Sequence, residues 1–154
     1  MSPKQKTRSA APAPSAARLQ AGVLPGLIGY WLRLAQQTVF RDFAASVPEL
    51  SPGRVGMLFL VEANPGVTQG RLAREVRLDR STMVGVIDAL EGRGLLERRR
   101  GADRRTNGLW LTREGRATVA RLKRRIRLHE RRVAGRLSMP ERAQLVALLE
   151  KLAS

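Results

Sequence analysis

The chain runs to 154 residues, 43% of them apolar, which is one domain's length with enough hydrophobic material to bury a core. Lys and Arg total 29 against 13 Asp and Glu, a formal charge of +16 that favours a polyanionic partner over an acidic small substrate alone, with nucleic acid ahead of an anionic membrane surface; a biased genome is the competing explanation of so many arginines. With no cysteine, disulfides, thiolate metal sites and thiol redox sensing are excluded.

Residues 1–18, MSPKQKTRSAAPAPSAAR, combine Ser, Pro, Ala and basic residues without an apolar run, and so read as a disordered basic arm rather than a signal peptide. The most apolar stretch, Val23 to Ala35, carries Pro25 and Arg33 and is too short to cross a bilayer. A cytoplasmic protein without a membrane partner is expected. From Leu24 the apolar residues Leu27, Ile28, Trp31, Leu34, Ala35, Val39 and Phe43 recur at helical spacing, which predicts a long amphipathic helix ending before Pro48. Ser51-Pro52 offers a cap and a first-turn proline for a second helix, which stops at Asn64-Pro65-Gly66. Thr68 can cap a third helix, Gln69 to Val76, and Asp79 a fourth that runs to Gly92 and Gly94.

The fourth helix turns Met83, Val86, Ile87 and Leu90 inward and Arg80, Ser81, Thr82, Val84, Gly85 and Asp88 outward. Two short helices joined by a tight turn, the second with small polar residues at its exposed start, describe either a helix-turn-helix or an ordinary helical hairpin. The next segment of the chain alters the balance. Leu95–Arg100 and Leu109–Leu111 read as two short strands around GADRRTN, with Gly101, Asn107 and Gly108 as turn residues. A helix-turn-helix succeeded by a basic wing is a DNA-binding unit in which the helix takes the major groove and the wing tip a minor groove. Arg104 and Arg105 then suit a narrow minor groove, where negative potential is concentrated, and Asp103 could hold such an arginine extended; a solvated turn aspartate is the plainer alternative. Thr112 caps a fifth helix with Val119, Leu122, Ile126, Val133 and Leu137 on its apolar side, and His129 reads as a surface residue among its arginines. Ser138-Met139-Pro140-Glu141 is a capping box opening a last helix with a Leu145, Leu148, Leu149, Leu152 stripe. Little chain remains to cover the terminal helices, so a second copy is the simplest cover. The expected fold is mainly α with a small two-stranded β-wing, a winged helix-turn-helix over 51–112 flanked by dimerisation helices at 19–47 and 113–154, all within a single domain 19–154.

The segment 67–112 closely resembles the centre of the MarR family of bacterial transcriptional regulators. Three motifs carry the likeness, in the family's order: Asp79-Arg80-Ser81-Thr82-Met83, Leu90-Glu91-Gly92-Arg93-Gly94-Leu95, and Asp103-Arg104-Arg105 running on to Leu111-Thr112. The resemblance extends more weakly over residues 20 to 152. It implies an obligate homodimer on a double-stranded DNA operator, with Ser81, Thr82 and Val84 facing bases and Arg105 in the minor groove braced by Asp103. Thr68, Gln69, Arg80 and Arg104 complete the DNA-contact candidates. Gly85 departs from the family, many of whose members carry a long polar or basic residue there; close approach of backbone to DNA would compensate for a mid-helix glycine. The family also implies a small-molecule effector, often an aromatic acid or derivative. LPGLIGYWLRLAQ and VFRDF resemble a subgroup responsive to hydroxycinnamoyl-type coenzyme A thioesters, which makes an aromatic acyl-CoA the candidate effector. Tyr30, Trp31, Arg33, Phe40, Phe43 and Met57 are the candidate effector residues, and a helical aromatic stripe that is simply core is the alternative. Neither an enzyme nor a metal or cofactor site is expected from one histidine, no phosphate-cradling glycine motif and no paired carboxylates. The competing function is a nucleoid-type protein that coats DNA without sequence preference.

Overall fold

A computed structural model describes residues 19–100 and 107–154. After a 3-10 turn at Leu24–Gly26 come α1 (Ile28–Ser46), α2 (Pro52–Ala63), β1 (Val67–Thr68), α3 (Gln69–Glu75), α4 (Arg80–Glu91), β2 (Leu96–Arg100), β3 (Asn107–Leu111), α5 (Arg113–Val133) and α6 (Met139–Ala153). Two compact units divide the chain, one ending at Leu34 and the other running from Ala35 to Ser154. In the first, the helix expected from Leu24 begins only at Ile28. Leu27 is extended, with φ −99° and ψ 124°, and Pro25 lies at the start of the preceding 3-10 turn. The Trp31 indole N–H donates to the Pro25 carbonyl at 2.9 Å, Tyr30 and Trp31 meet edge to face, and the Arg33 guanidinium lies 5.9 Å from the Tyr30 ring centre.

In the second unit the helices start where side chains can accept the unpaired first-turn N–H groups. Ser51, Thr68, Asp79, Thr112 and Ser138 each cap in this way, and Ser138 and Glu141 close a full capping box. The core is continuous: Leu58 from α2, Leu72 from α3, Met83, Ile87 and Leu90 from α4, Leu96 and Leu109 from the sheet, and Val119 and Leu122 from α5 are all essentially inaccessible. Burying a side chain of this size contributes about 1.5–3 kcal/mol. α3 packs on α4, while α2 packs on both α5 and β3.

The sheet has three antiparallel strands in the order β1-β3-β2, one more than the expected hairpin. β1 pairs Val67 with Leu109 and Thr68 with Gly108, and is too short to leave an alternating pattern. Asn107 and Gly108, expected as turn residues, are instead the first residues of β3, opposite Arg100 and Arg99. Gly108 is needed for close approach: a β-carbon there would lie 2.5 Å from the Trp110 ring and 2.7 Å from the Gly66 carbonyl oxygen. A second close approach joins the wing to α5. The Thr112 amide donates to the Leu95 carbonyl, and a β-carbon at Gly115 would fall 2.0 Å from that same oxygen.

Two opposing effects meet at Gly115. Alanine favours helix by about 1 kcal/mol over glycine, while overpacking against a backbone atom costs about 1–3 kcal/mol or more. The clash should win, so Gly115→Ala is expected to lower stability by about 1–2 kcal/mol, read as a reduced urea midpoint at unchanged slope.

Candidate nucleic-acid interface

Because Met83, Ile87 and Leu90 are buried, the opposite face of α4 is open: Arg80, Ser81, Thr82, Val84, Gly85 and Asp88 are all exposed. Its first turn is tightly organised. Asp79 accepts from the Thr82 backbone N–H at 2.8 Å, from the Ser81 hydroxyl at 2.5 Å and from the Thr82 hydroxyl at 2.6 Å. The Ser81 hydroxyl, and after it Thr82, hold the Asp79 carboxyl well below the usual carboxylate range, so the cap stays ionised. With their hydrogens turned to Asp79, Ser81 and Thr82 present oxygen lone pairs outward. A β-carbon at Gly85 would meet nothing within 4 Å, so the helix surface there is bare backbone.

The other half of α4 is tied to the wing. The Arg98 guanidinium bridges Asp88 and Glu91, and the Arg98 backbone N–H donates to Glu91 at 3.3 Å. Alternation along β2 explains the reach, since Arg98 shares a face with buried Leu96 two residues earlier. On the other face, Arg99 pairs with Glu97 and lies 5.7 Å from the centre of the Trp110 ring. Arg98 and Asn107 also line a concavity of about 280 Å³ with Thr68, Gln69, Gly70 and Leu109, at the start of α3. The structure thus brings Thr68 and Gln69 together with Arg98, read only as part of a strand, and Asn107, read only as a turn residue. Strand alternation was the available signal for Arg98. Asp103, Arg104 and Arg105 lie outside the described residues.

Of the effector candidates in the second unit, Phe40 is half-exposed and lines two adjoining grooves. One, of about 680 Å³, is completed by Gln36, Gln37 and Arg41. The other, of about 570 Å³, is apolar and includes Phe43, Val47, Leu50 and Pro52. Met57 lines neither: it is 3% exposed and belongs to the core, as the spacing of Val55, Leu58 and Val61 around it allows. Tyr30, Trp31 and Arg33 belong to the first unit, where they interact with one another and with Pro25.

Comparison with known proteins bears on the same elements. The MarR family model matches residues 49–106. A protein of Thauera aromatica assigned to regulation of the hcr operon is 36% identical over 140 residues, covering 88% of this chain and 84% of its own. The chain belongs to the MarR family. Among solved structures of similar proteins, the transcriptional repressor CouR bound to a 23-mer DNA duplex superposes with a TM-score of 0.85 at 40% identity, covering 90% of this chain and all of CouR. CouR bound to p-coumaroyl-CoA gives 0.81 at 39% identity, covering 88% and 98%. The PcaV regulator of Streptomyces coelicolor, solved with its natural ligand, gives 0.80 at 31% identity, covering 88% and 97%.

One residue of this MarR-family chain is placed very differently from expectation. His129 is 2% exposed, not a surface residue. It continues the stripe Val119, Leu122, Ile126 toward Val133, so helical spacing was the signal that should have placed it inside. Its Nδ1 lies 2.7 Å from Asp42 of α1, whose carboxylate accepts, and its ring meets Phe43 edge to face. Arg132 donates twice to Asp42, at 2.9 and 3.0 Å. Arg132 first, then His129, hold the Asp42 carboxyl below the usual carboxylate range. A depressed folded-state pKa gives stability that is present above the ordinary aspartate pKa of about 4 and lost as pH falls below it. Asp42→Asn should therefore lower the urea midpoint at pH 7, and the gap from the parent should shrink as pH is taken from about 4 toward 2. A gap that stays constant would remove the charge of Asp42 from the account.

Proposed function

We propose that this chain is a ligand-responsive DNA-binding transcriptional regulator, a repressor that holds a palindromic operator as a homodimer and leaves it when an aromatic acyl-coenzyme A binds. The observation that carries the reading is the open face of α4, with a charged cap, outward hydroxyl oxygens, Val84 and bare backbone at Gly85, next to a basic two-stranded ribbon. In this reading Arg80, Ser81, Thr82 and Val84 address base edges, Val84 through a thymine methyl. Thr68 and Gln69 hold the phosphate backbone, and Arg104 and Arg105, steadied by Asp103, enter the minor groove. CouR, solved both on DNA and with p-coumaroyl-CoA, supports the pairing of the two activities. The dimer is supported by α6, which buries no residue in the single chain and leaves Leu145, Val146, Leu148, Leu149 and Leu152 between 41 and 58% exposed. No described helix is long and apolar enough to cross a membrane, in keeping with action in the cytoplasm.

The effector reading rests on Phe40 and Phe43 as aromatic contacts, with Gln36, Gln37 and Arg41 offering amide and cationic groups to a pantetheine and its phosphates. Tyr30, Trp31 and Arg33 carry the same chemistry in the first unit. Emptying an operator needs several kcal/mol of preference for the released state, so the effector must contact groups that differ between states. The test has two arms. Wild-type protein should prefer a selected palindromic duplex over bulk DNA by orders of magnitude, where a DNA-coating protein would show no preference. p-Coumaroyl-CoA should release that duplex at micromolar concentration, and free p-coumarate should do so poorly. Equal release by the free acid would refute the thioester reading.

Gly85 separates stability from recognition. Gly85→Ala should raise stability by about 1 kcal/mol, because the added methyl meets nothing in the free protein. The same methyl stands on the reading face, so operator affinity should fall. A variant that gains stability and binds unchanged would take Gly85 out of the contact surface.

A further inference from the structure

Arg98 occupies a position that the DNA-reading proposal does not by itself use. It is the one basic residue on the described part of β2 whose side chain is held by two carboxylates of α4, one full turn apart at Asp88 and Glu91. Asp88 stands on the open face with Ser81, Val84 and Gly85, whereas Glu91 also receives the Arg98 backbone N–H. The guanidinium therefore grips two neighbouring carboxylates on one side of the C-terminal turn of α4, while its own backbone is pinned in the sheet opposite Leu109. A planar fork is suited to this, because two donors in fixed geometry restrain direction as well as distance. Ion pairs this open add little stability, so their consequence lies in orientation.

The local charge balance points the same way. Asp88, Glu91 and Arg98 together sum to −1, an arrangement that weakens attraction to a phosphate backbone rather than adding to it. A protein with 29 basic residues does not need another phosphate contact here. What a two-element reader needs is a fixed angle between the element in the major groove and the element beside it, since a helix and a ribbon that swivel independently meet many registers equally well.

We propose that Arg98 is a positioning residue for sequence discrimination: its fork to Asp88 and Glu91 locks the recognition helix α4 to the β2–β3 ribbon, so that both engage one half-site in a single register. The proposal rests on the DNA-reading function above. It makes Arg98 matter for the ratio of specific to non-specific binding while leaving non-specific binding intact. It also gives Asp88 a sign opposite to that expected from charge alone.

The experiment uses the full chain and two duplexes of equal length, a palindrome selected by the wild-type protein from random sequence and a scrambled control. Affinities are measured across a salt series for wild type, Arg98→Ala, Arg98→Lys and Asp88→Asn. Arg98→Ala should lower the ratio of palindrome to control affinity by about tenfold, the weight of one mismatched base pair, with an unchanged salt slope. Arg98→Lys retains the charge but not the fork and should fall between the two. Asp88→Asn removes a negative charge, so it should bind the control more tightly and the palindrome more weakly. A salt slope reduced by about 1 in Arg98→Ala would make Arg98 a phosphate contact and overturn the proposal. So would an unchanged ratio in both Arg98 variants, or tighter binding of both duplexes by Asp88→Asn. A wild-type protein that selects no palindrome would instead overturn the regulator reading, and the proposal with it.

Discussion

The amphipathy of α4 is the constraint on which the rest of the second unit depends. Met83, Ile87 and Leu90 are fully buried, against a core to which α2, α3, the sheet and α5 all contribute. A helix so anchored cannot roll, because a roll of one residue's spacing, about 100°, would expose three large apolar side chains. Burial thereby sets which face of α4 is open, and of that face only Asp88, through Arg98, is engaged in holding the helix to the ribbon. Arg80, Val84 and Gly85 are released from structural duty and can be chosen for what they touch.

The acidic residues show a second regularity. A chain with so few of them places most of the described ones against arginine or lysine: Asp42 with Arg132, Glu49 with Arg125, Glu62 with Lys123, Asp88 and Glu91 with Arg98, Glu130 with Arg142, and, within one element, Glu97 with Arg99 and Glu114 with Arg121. Three of them, Asp42 with Arg132, Glu49 with Arg125 and Glu62 with Lys123, join elements distant in sequence, while Arg98 and Arg142 each reach back to the preceding helix. Exposed pairs add little stability, and their effect is to set directions between elements while the remaining arginines keep the surface strongly positive. Asp79 and Glu141 differ, since their charges are directed to backbone and hydroxyl donors at the starts of α4 and α6.

The Asp42, His129 and Arg132 cluster ties the end of α1 to the far half of α5 within the second unit. A buried imidazole without a partner would be costly, and the Asp42 carboxylate meets that need at 2.7 Å. The helix that carries Phe40 and Phe43 thus has a polar as well as an apolar attachment to α5.

Much of this was legible in the amino-acid order. Five helix caps, the inward stripe of α4, the capping box of α6 and the strands around the wing all follow from local rules, because capping and periodicity involve residues within a turn or two of one another. The short β1 strand escaped because two residues carry no period, and its partner lies some forty positions away. Asn107 and Gly108 looked like turn residues because glycine tolerates unusual backbone angles, yet Gly108 is there for want of a side chain beneath Trp110. His129 was misplaced although its spacing put it on the apolar stripe, since its partner Asp42 is 87 positions distant. Alternation put Arg98 on the same strand face as Leu96, but that its partners are Asp88 and Glu91 emerged only with α4 beside it. Residue order alone was enough for which segments are helical, which faces are apolar and, wherever a side chain caps the first turn, where the helix begins, since those depend on neighbours along the chain; α1, without such a cap, starts later than its apolar spacing suggested. Which charges meet and which glycines are contacts emerged only from packing, because those depend on neighbours that the chain order does not bring together.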